Sequence, residues 1–129
     1  MKKILLIVLI ISTPFSIAAV HAGEYLGRLS VNPYAEDSTS GTGADNYRIK
    51  ESMEDEYTTG GPKLYDSEGN FRGNLNGNEY DPDSISNPYG RYGSEYSEDS
   101  INNQYGAGSE YLNDSPNNPY GEGWVIIDE

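Results

Sequence analysis

Cysteine is absent from this 129-residue chain, and its single histidine, His21, lies near the start. Without thiols there is no disulfide to staple a small exported domain and no cysteine nucleophile. Without an imidazole beyond residue 21, Ser–His–Asp and Cys–His arrangements cannot form, nor can histidine-based zinc sites. Positive charge is scarce as well: eight Lys and Arg stand against 21 Asp and Glu, a formal charge of −13. Nucleic acid and anionic lipid are poor partners for such a chain, because holding phosphate requires cations. Large aliphatic residues are the third shortage. From Gly23 onward Leu, Ile, Val and Phe number thirteen, about 12 % of that segment. That lies below the ~20 % at which a highly charged chain is expected to stay disordered. A conventional hydrophobic core is therefore not expected, and part of the chain is expected to be disordered. Paired carboxylates remain, but glycoside hydrolysis needs two of them ~5–10 Å apart across a rigid, partly desolvated cleft. The reading is non-enzymatic, with no cofactor and no catalytic residue.

What is present begins with a targeting signal. Met1-Lys2-Lys3 precedes the apolar run Ile4 to Ile11, which Pro14 and Ser16 interrupt, and Val20-His21-Ala22 places small residues at −3 and −1. This is the pattern of a cleaved secretory signal over residues 1–22. The run falls short of the ~20 apolar residues of a membrane span, so no span is expected after cleavage. With no cysteine at the processing site, a bacterial lipoprotein is excluded. The mature chain would start at Gly23 and lose Lys2 and Lys3, leaving six basic groups against 21 acidic ones, or −15. It would be exported, to the periplasm or the exterior.

The mature region repeats itself. Asp83-Ser84-Ile85-Ser86-Asn87-Pro88-Tyr89-Gly90 is followed 16 residues on by Asp99-Ser100-Ile101-Asn102-Asn103-Gln104-Tyr105-Gly106. A further 15 residues bring Asp114-Ser115-Pro116-Asn117-Asn118-Pro119-Tyr120-Gly121, and Gly-Ser-Glu-Tyr lies between copies at Gly93 to Tyr96 and Gly108 to Tyr111. The clearest copies thus occupy 81–121. Gly27 to Ser38 also recurs 46 residues later as Gly73 to Ser84, and Tyr47 to Tyr57 reads as a decayed copy of Tyr96 to Tyr105. Residues 23–129 are therefore read as one Tyr-, Asn-, Gly- and Pro-rich acidic array. Asn-Pro-Tyr-Gly suits a type I turn, and Asp-Ser upstream favours an Asx-turn or one capped helical turn. The expected fold is mostly irregular: turn-rich short tandem repeats with at most a minor antiparallel β element.

The run Tyr-Gly-Ser-x-Tyr-x-x-Asp-Ser-x-x-Asn-x-Tyr-Gly resembles a repeat found in small, exported bacterial proteins of uncharacterised function. The likeness covers roughly 26–124. Glu95 and Glu110 stand where that group usually has Pro after Gly-Ser, and Gln104 replaces another Pro. The resemblance brings no activity and no site residues.

One segment reads as regular structure. Lys63-Leu64-Tyr65 and Phe71 to Leu75 flank the turn cluster Asp66-Ser67-Glu68-Gly69-Asn70, a hairpin signal over 63–75. An isolated hairpin is marginal in water, so it needs Tyr25, Leu29 or Trp124-Val125-Ile126-Ile127 beside it. The last run is the most β-prone window, suited either to completing a small sheet or to docking.

Three functions fit these features. The first is a structural or interaction role in the envelope or outside the cell, with a protein or envelope component as partner. The second is a calcium-responsive module, since Asp81, Asp83, Asp99 and Asp114 recur beside the turns and oxygen ligands suit a hard cation. Asp66 to Asn70 lacks the glycine and the closing acid of an EF-hand loop, and solvated carboxylates are the preferred reading. The third is a sugar- or peptidoglycan-contacting module using tyrosine rings. Those rings could make adaptable contacts, although packing on Pro and Gly of the next turn is preferred. The intact mass of protein recovered from periplasm or medium is expected to begin at Gly23; a mass retaining Met1 would refute the signal assignment.

Overall fold

The computed structural model describes residues 23–129; the signal assigned to 1–22 lies outside the described residues. Four short strands and one helix carry the regular structure: β1 (Glu24–Leu29), α1 (Asn46–Glu54), β2 (Lys63–Tyr65), β3 (Phe71–Asn74) and β4 (Trp124–Asp128). The rest is turns and bends. The strands form one antiparallel sheet in the order β1-β4-β2-β3. The hairpin expected at 63–75 is present as β2 and β3, with Lys63 opposite Asn74 and Tyr65 opposite Phe71. The C-terminal apolar run is β4, which sits between β1 and β2. It pairs Tyr25 with Ile127, Leu29 with Trp124, and Leu64 with Ile126. As a minor antiparallel element in a chain of low regular content, this agrees with the sequence reading.

A central strand buried on both faces must be apolar at every position, and Trp124, Val125, Ile126 and Ile127 are all buried. Side chains alternate across a strand. Trp124 and Ile126 accordingly join Leu26, Ile49, Leu64, Leu75, Ile85, Tyr92 and Ala107 on one face. Val125 and Ile127 join Tyr65 on the other, flanked by Tyr25 and Phe71. This overturns the expectation that no ordinary core would form. Eight of the thirteen Leu, Ile, Val and Phe residues are buried, and only Val31 and Leu112 are exposed. Few apolar residues suffice because nearly all are placed inside, with Trp124 and two tyrosines adding ring area.

The stretch Tyr47 to Tyr57, read as a decayed repeat, lies largely in α1. The Asp45 carboxylate caps it by accepting the Arg48 N–H at 3.2 Å. Ile49 is buried, and Met53 packs against the same core one turn on. Arg48 pairs with Glu24 at 2.7 Å and also with Asp128, which ties the helix to the outer ends of β1 and β4. Among the described residues no helix is long and apolar enough to cross a membrane.

Neither outer strand leaves its whole edge open. Arg28 donates its N–H to Asp37 O at 2.8 Å and accepts the Thr39 N–H at 2.9 Å. Asn74 does the same with Asp83 O at 2.7 Å and the Ile85 N–H at 3.1 Å. Both contacts are short parallel bridges, Arg28 to Ser38 and Asn74 to Ser84. The backbone approaches closely there because a glycine precedes each bridge, Gly27 at φ +133° and Gly73 at φ +112°. A Cβ on Gly73 would lie 2.8 Å from Tyr92 Cβ and 3.0 Å from Asp83 O, in a backbone region L-residues avoid. Gly73→Ala is expected to cost about 2 kcal/mol and Leu64→Ala about 3 kcal/mol in urea unfolding of an otherwise cooperative transition. A broad, non-cooperative wild-type melt would contradict the core described here.

Candidate interaction face

Outside the sheet the chain advances by tight turns, each closed by an N–H bonded to the carbonyl three residues back. From Asn78 the turns close at Asp81, Ser84, Asn87 and Gly90. From Ser94 they close at Ser97, Ser100, Asn103 and Gly106. From Ser109 they close at Leu112, Ser115, Asn118 and Gly121, and from Asn32 at Ala35, Ser38 and Gly41. Each turn thus starts on the residue that ends the one before it.

A polar side chain at the first position of almost every turn explains why. Its oxygen accepts the N–H two residues on, the Asx- or ST-turn geometry. Asn32, Asn78, Asn87, Asn103 and Asn118 do this for Tyr34, Tyr80, Tyr89, Tyr105 and Tyr120, at 2.9–3.0 Å. Ser94 and Ser109 do it for Tyr96 and Tyr111. Ser38, Ser84, Ser100 and Ser115 do it for the residue two further on, and all four are fully buried. Only Ala35 and Leu112 lack such an oxygen. The signal in the sequence is therefore Ser, Asn or Asp at nearly every third residue within a stretch, a period hidden inside the more visible one of 15–16.

Successive stretches of turns are joined by asparagine amides. Asn102 Nδ2 donates to Ile85 O and Gly93 O, and Asn117 Nδ2 to Ile101 O and Gly108 O, all at 2.9–3.0 Å. The first stretch meets the last in the same way: Asn32 Nδ2 donates to Gly121 O and the Val31 N–H to Pro116 O. The hairpin loop grips the same turns from the other side. Arg72 links Asp66 at 2.9 Å to Asp99 at 3.1 Å, with its guanidinium 5.7 Å from the Trp124 ring. Asp114 accepts from Ser67 N–H and Oγ.

This arrangement ties each tyrosine N–H to the first side chain of its own turn and turns the rings out. Tyr34, Tyr80, Tyr89, Tyr96, Tyr105, Tyr111 and Tyr120 are 84–95 % exposed. Rings packed on the next turn, the preferred sequence reading, are not what the fold contains. Each ring is the third residue of its turn, pointing away from the inward first position. Tyr47 and Tyr57 are exposed too; only Tyr25, Tyr65 and Tyr92 are half-buried or buried.

The four candidate calcium residues are scattered among other tasks. Buried Asp81 accepts from Gly60 N–H, Asn74 and Asn76 through Oδ2 and from Asp83 N–H through Oδ1. Asp99 is held by Arg72 and Arg91, and Asp114 by Ser67. Asp83 is exposed. Among the described residues no three acidic side chains converge as a metal site would require. An open cavity of about 170 Å³ lies where Arg28, Asn32 and Glu36 meet Tyr120 and Glu122, well under the ~300 Å³ of ordinary ligand pockets. The exposed tyrosines are the larger feature.

Burial pushes the Asp81 carboxyl up, but hydrogen bonds from Gly60, Asp83, Asn76 and Asn74 outweigh it and hold the group below the usual carboxylate range. Asp66 behaves alike, with Asn70 and Arg72 outweighing burial. Their stabilisation is present above the unfolded value of about 4 and is lost as pH falls through the lower folded values. Burial, with Asp37 nearby, pushes Tyr25 up to about 12 against the partial opposition of Arg28. That contribution is present below the unfolded pKa of about 10 and is lost as pH rises through the folded one. Thermal melts are expected to show a stability plateau between about pH 4 and 10, with the acid limb displaced in Asp81→Asn. Ser100→Ala is expected to cost about 1–2 kcal/mol, and Tyr105→Ala nearly nothing. Equal costs for the two would contradict this division of labour.

Compared with models of protein families, with curated proteins and with solved structures, the chain has no match, and its function is read from its own residues.

Proposed function

We propose that this is an exported, non-enzymatic interaction module, acting in the periplasm or outside the cell. On this reading residues 23–129 are a single array of short, turn-rich tandem repeats, and their tyrosines meet a protein or another envelope component. The observation that carries the reading is the exposure of seven tyrosine rings whose backbones are fixed by turn hydrogen bonds. Large exposed rings add nothing to the stability of an isolated domain, whereas they give wide contact area at low entropic cost once their backbone is preset. Equivalent rings along an array also permit multivalent attachment.

A calcium-responsive role gains less support, because Asp81, Asp99 and Asp114 already accept bonds from protein donors. Calcium and magnesium at equal ionic strength are expected to change the circular dichroism spectrum alike, by screening alone; a change specific to micromolar calcium would restore that alternative. The interaction role is tested by sedimenting the purified protein with envelope fractions. Retention is expected for the wild type and its loss for Tyr89→Ser, Tyr105→Ser and Tyr120→Ser combined, with the melting temperature kept. Retention unaffected by the triple substitution, or absent from the wild type, would count against the role.

A further inference from the structure

The exposed tyrosines do not stand alone. Glu79 precedes Tyr80, Glu95 precedes Tyr96 and Glu110 precedes Tyr111, each pair at the second and third positions of the turn that opens its stretch. All six side chains belong to exposed residues. At the middle pair the neighbouring Glu95 carboxylate pushes the Tyr96 phenol above its ordinary pKa. Ring and carboxylate therefore project from neighbouring positions of one rigid turn, and the unit recurs after 16 and 15 residues.

The sequence that carries the second and third units has charge of one sign. From Gly93 to the end of the chain there is no Lys or Arg, against eight Asp and Glu. Of the arginines that reach this region, Arg72 and Arg91 are taken up by Asp99 and Arg48 by Glu24 and Asp128, while Arg28 lies beside Tyr120 and Glu122. No basic side chain follows Arg91 to neutralise Glu95 or Glu110 from within the array. A second copy of the chain would bring the same negative surface and be repelled. An aromatic face beside an unneutralised carboxylate instead fits a guanidinium or ammonium group, which gains an ion pair and a cation–π contact together.

Resting on the interaction reading above, we propose that the partner is cationic: an extended, arginine- and lysine-rich polypeptide segment. Its side chains lie over Tyr80, Tyr96 and Tyr111 and against Glu79, Glu95 and Glu110, one unit after another. Arginine is the preferred residue, because its planar group stacks on a ring while still bonding a carboxylate. Tyr89, Tyr105 and Tyr120 follow Pro88, Gln104 and Pro119 rather than acids, so they contribute ring area without the local charge.

The test uses the purified protein with four probes: nona-arginine, nona-lysine, nona-glutamate and a neutral hexasaccharide. Calorimetry and proton–nitrogen NMR supply the readouts. Nona-arginine is expected to bind more tightly than nona-lysine, to weaken as salt rises, and to shift the Tyr80, Tyr96 and Tyr111 amides most. Tyr96→Leu with Tyr111→Leu keeps every charge and is expected to weaken nona-arginine about tenfold. Glu95→Gln with Glu110→Gln keeps both rings and is expected to weaken both cationic peptides and flatten the salt dependence. These side chains are exposed, and the melting temperature of each variant confirms its fold. Nona-arginine binding unchanged by the tyrosine pair would overturn the proposal, since charge alone would then account for it. Binding of the hexasaccharide in place of nona-arginine would also overturn it, while leaving the interaction role standing with a glycan partner. Absence of any shift at an exposed tyrosine with all four probes overturns the proposal, and the failure of the envelope sedimentation as well would remove the interaction role beneath it.

Discussion

A side-chain oxygen accepting the N–H two residues ahead is the contact on which the rest of this molecule depends. A chain with so few strands has many backbone groups that no ladder can satisfy, and buried backbone groups left unpaired are costly. Placing Ser, Asn or Asp at every third position solves this locally, because the side chain takes one N–H and the turn takes the next. Three-residue spacing also separates the surfaces. First positions such as Ser84, Ser100 and Ser115 face in, while third positions such as Tyr80, Tyr96 and Tyr111 face out.

The sheet and the turns stabilise each other. A four-stranded sheet has two outer strands, and open edges there would invite pairing with other chains. Here the turns at Asp37–Thr39 and Asp83–Ile85 lie along β1 and β3 and occupy edge positions. In return the sheet offers Trp124, Leu64 and Leu75 as the surface on which Ile85, Ile101 and Ala107 of the turns settle. The ion chain Asp66–Arg72–Asp99 fastens the hairpin loop to the turns at a partly shielded site, where the bidentate reach of arginine suits two carboxylates.

The sheet was legible in the sequence because its strands follow simple rules: a turn cluster between Tyr65 and Phe71, and an uninterrupted apolar run from Trp124 to Ile127. The core was not legible, because the number of aliphatic residues does not reveal where the fold places them. Number says little when almost every one is inside, as Leu26, Leu64, Leu75 and Ile126 are. Helix α1 escaped because its apolar face consists of Ile49 and Met53 alone, and Asp45 as cap looks like any other acidic residue here. The tyrosine face escaped for a different reason. Tyr-Gly draws the eye to the 15–16-residue copy, whereas inward and outward directions follow the three-residue step of Asn78, Asp81, Ser84 and Asn87. Among the acids, Asp99 and Asp114 occupy matching turn positions, but Arg72 and Ser67, which bind them, come from the β2–β3 hairpin distant in sequence.

The order of the strands along the chain has a consequence for how the molecule is born. β4 lies between β1 and β2 in the sheet, yet it is the last of the four to be made. After β3 ends at Asn74, roughly fifty residues must be synthesised before Trp124 appears, which at ~5–20 residues per second takes ~3–10 s. Throughout that interval β1 has no sheet partner and the hairpin is unsupported on one side. Turns that close over three residues can form in nanoseconds to microseconds as they emerge, whereas the sheet must wait for its middle. The nascent protein is thus a string of preset local turns that stays open until its final strand locks it.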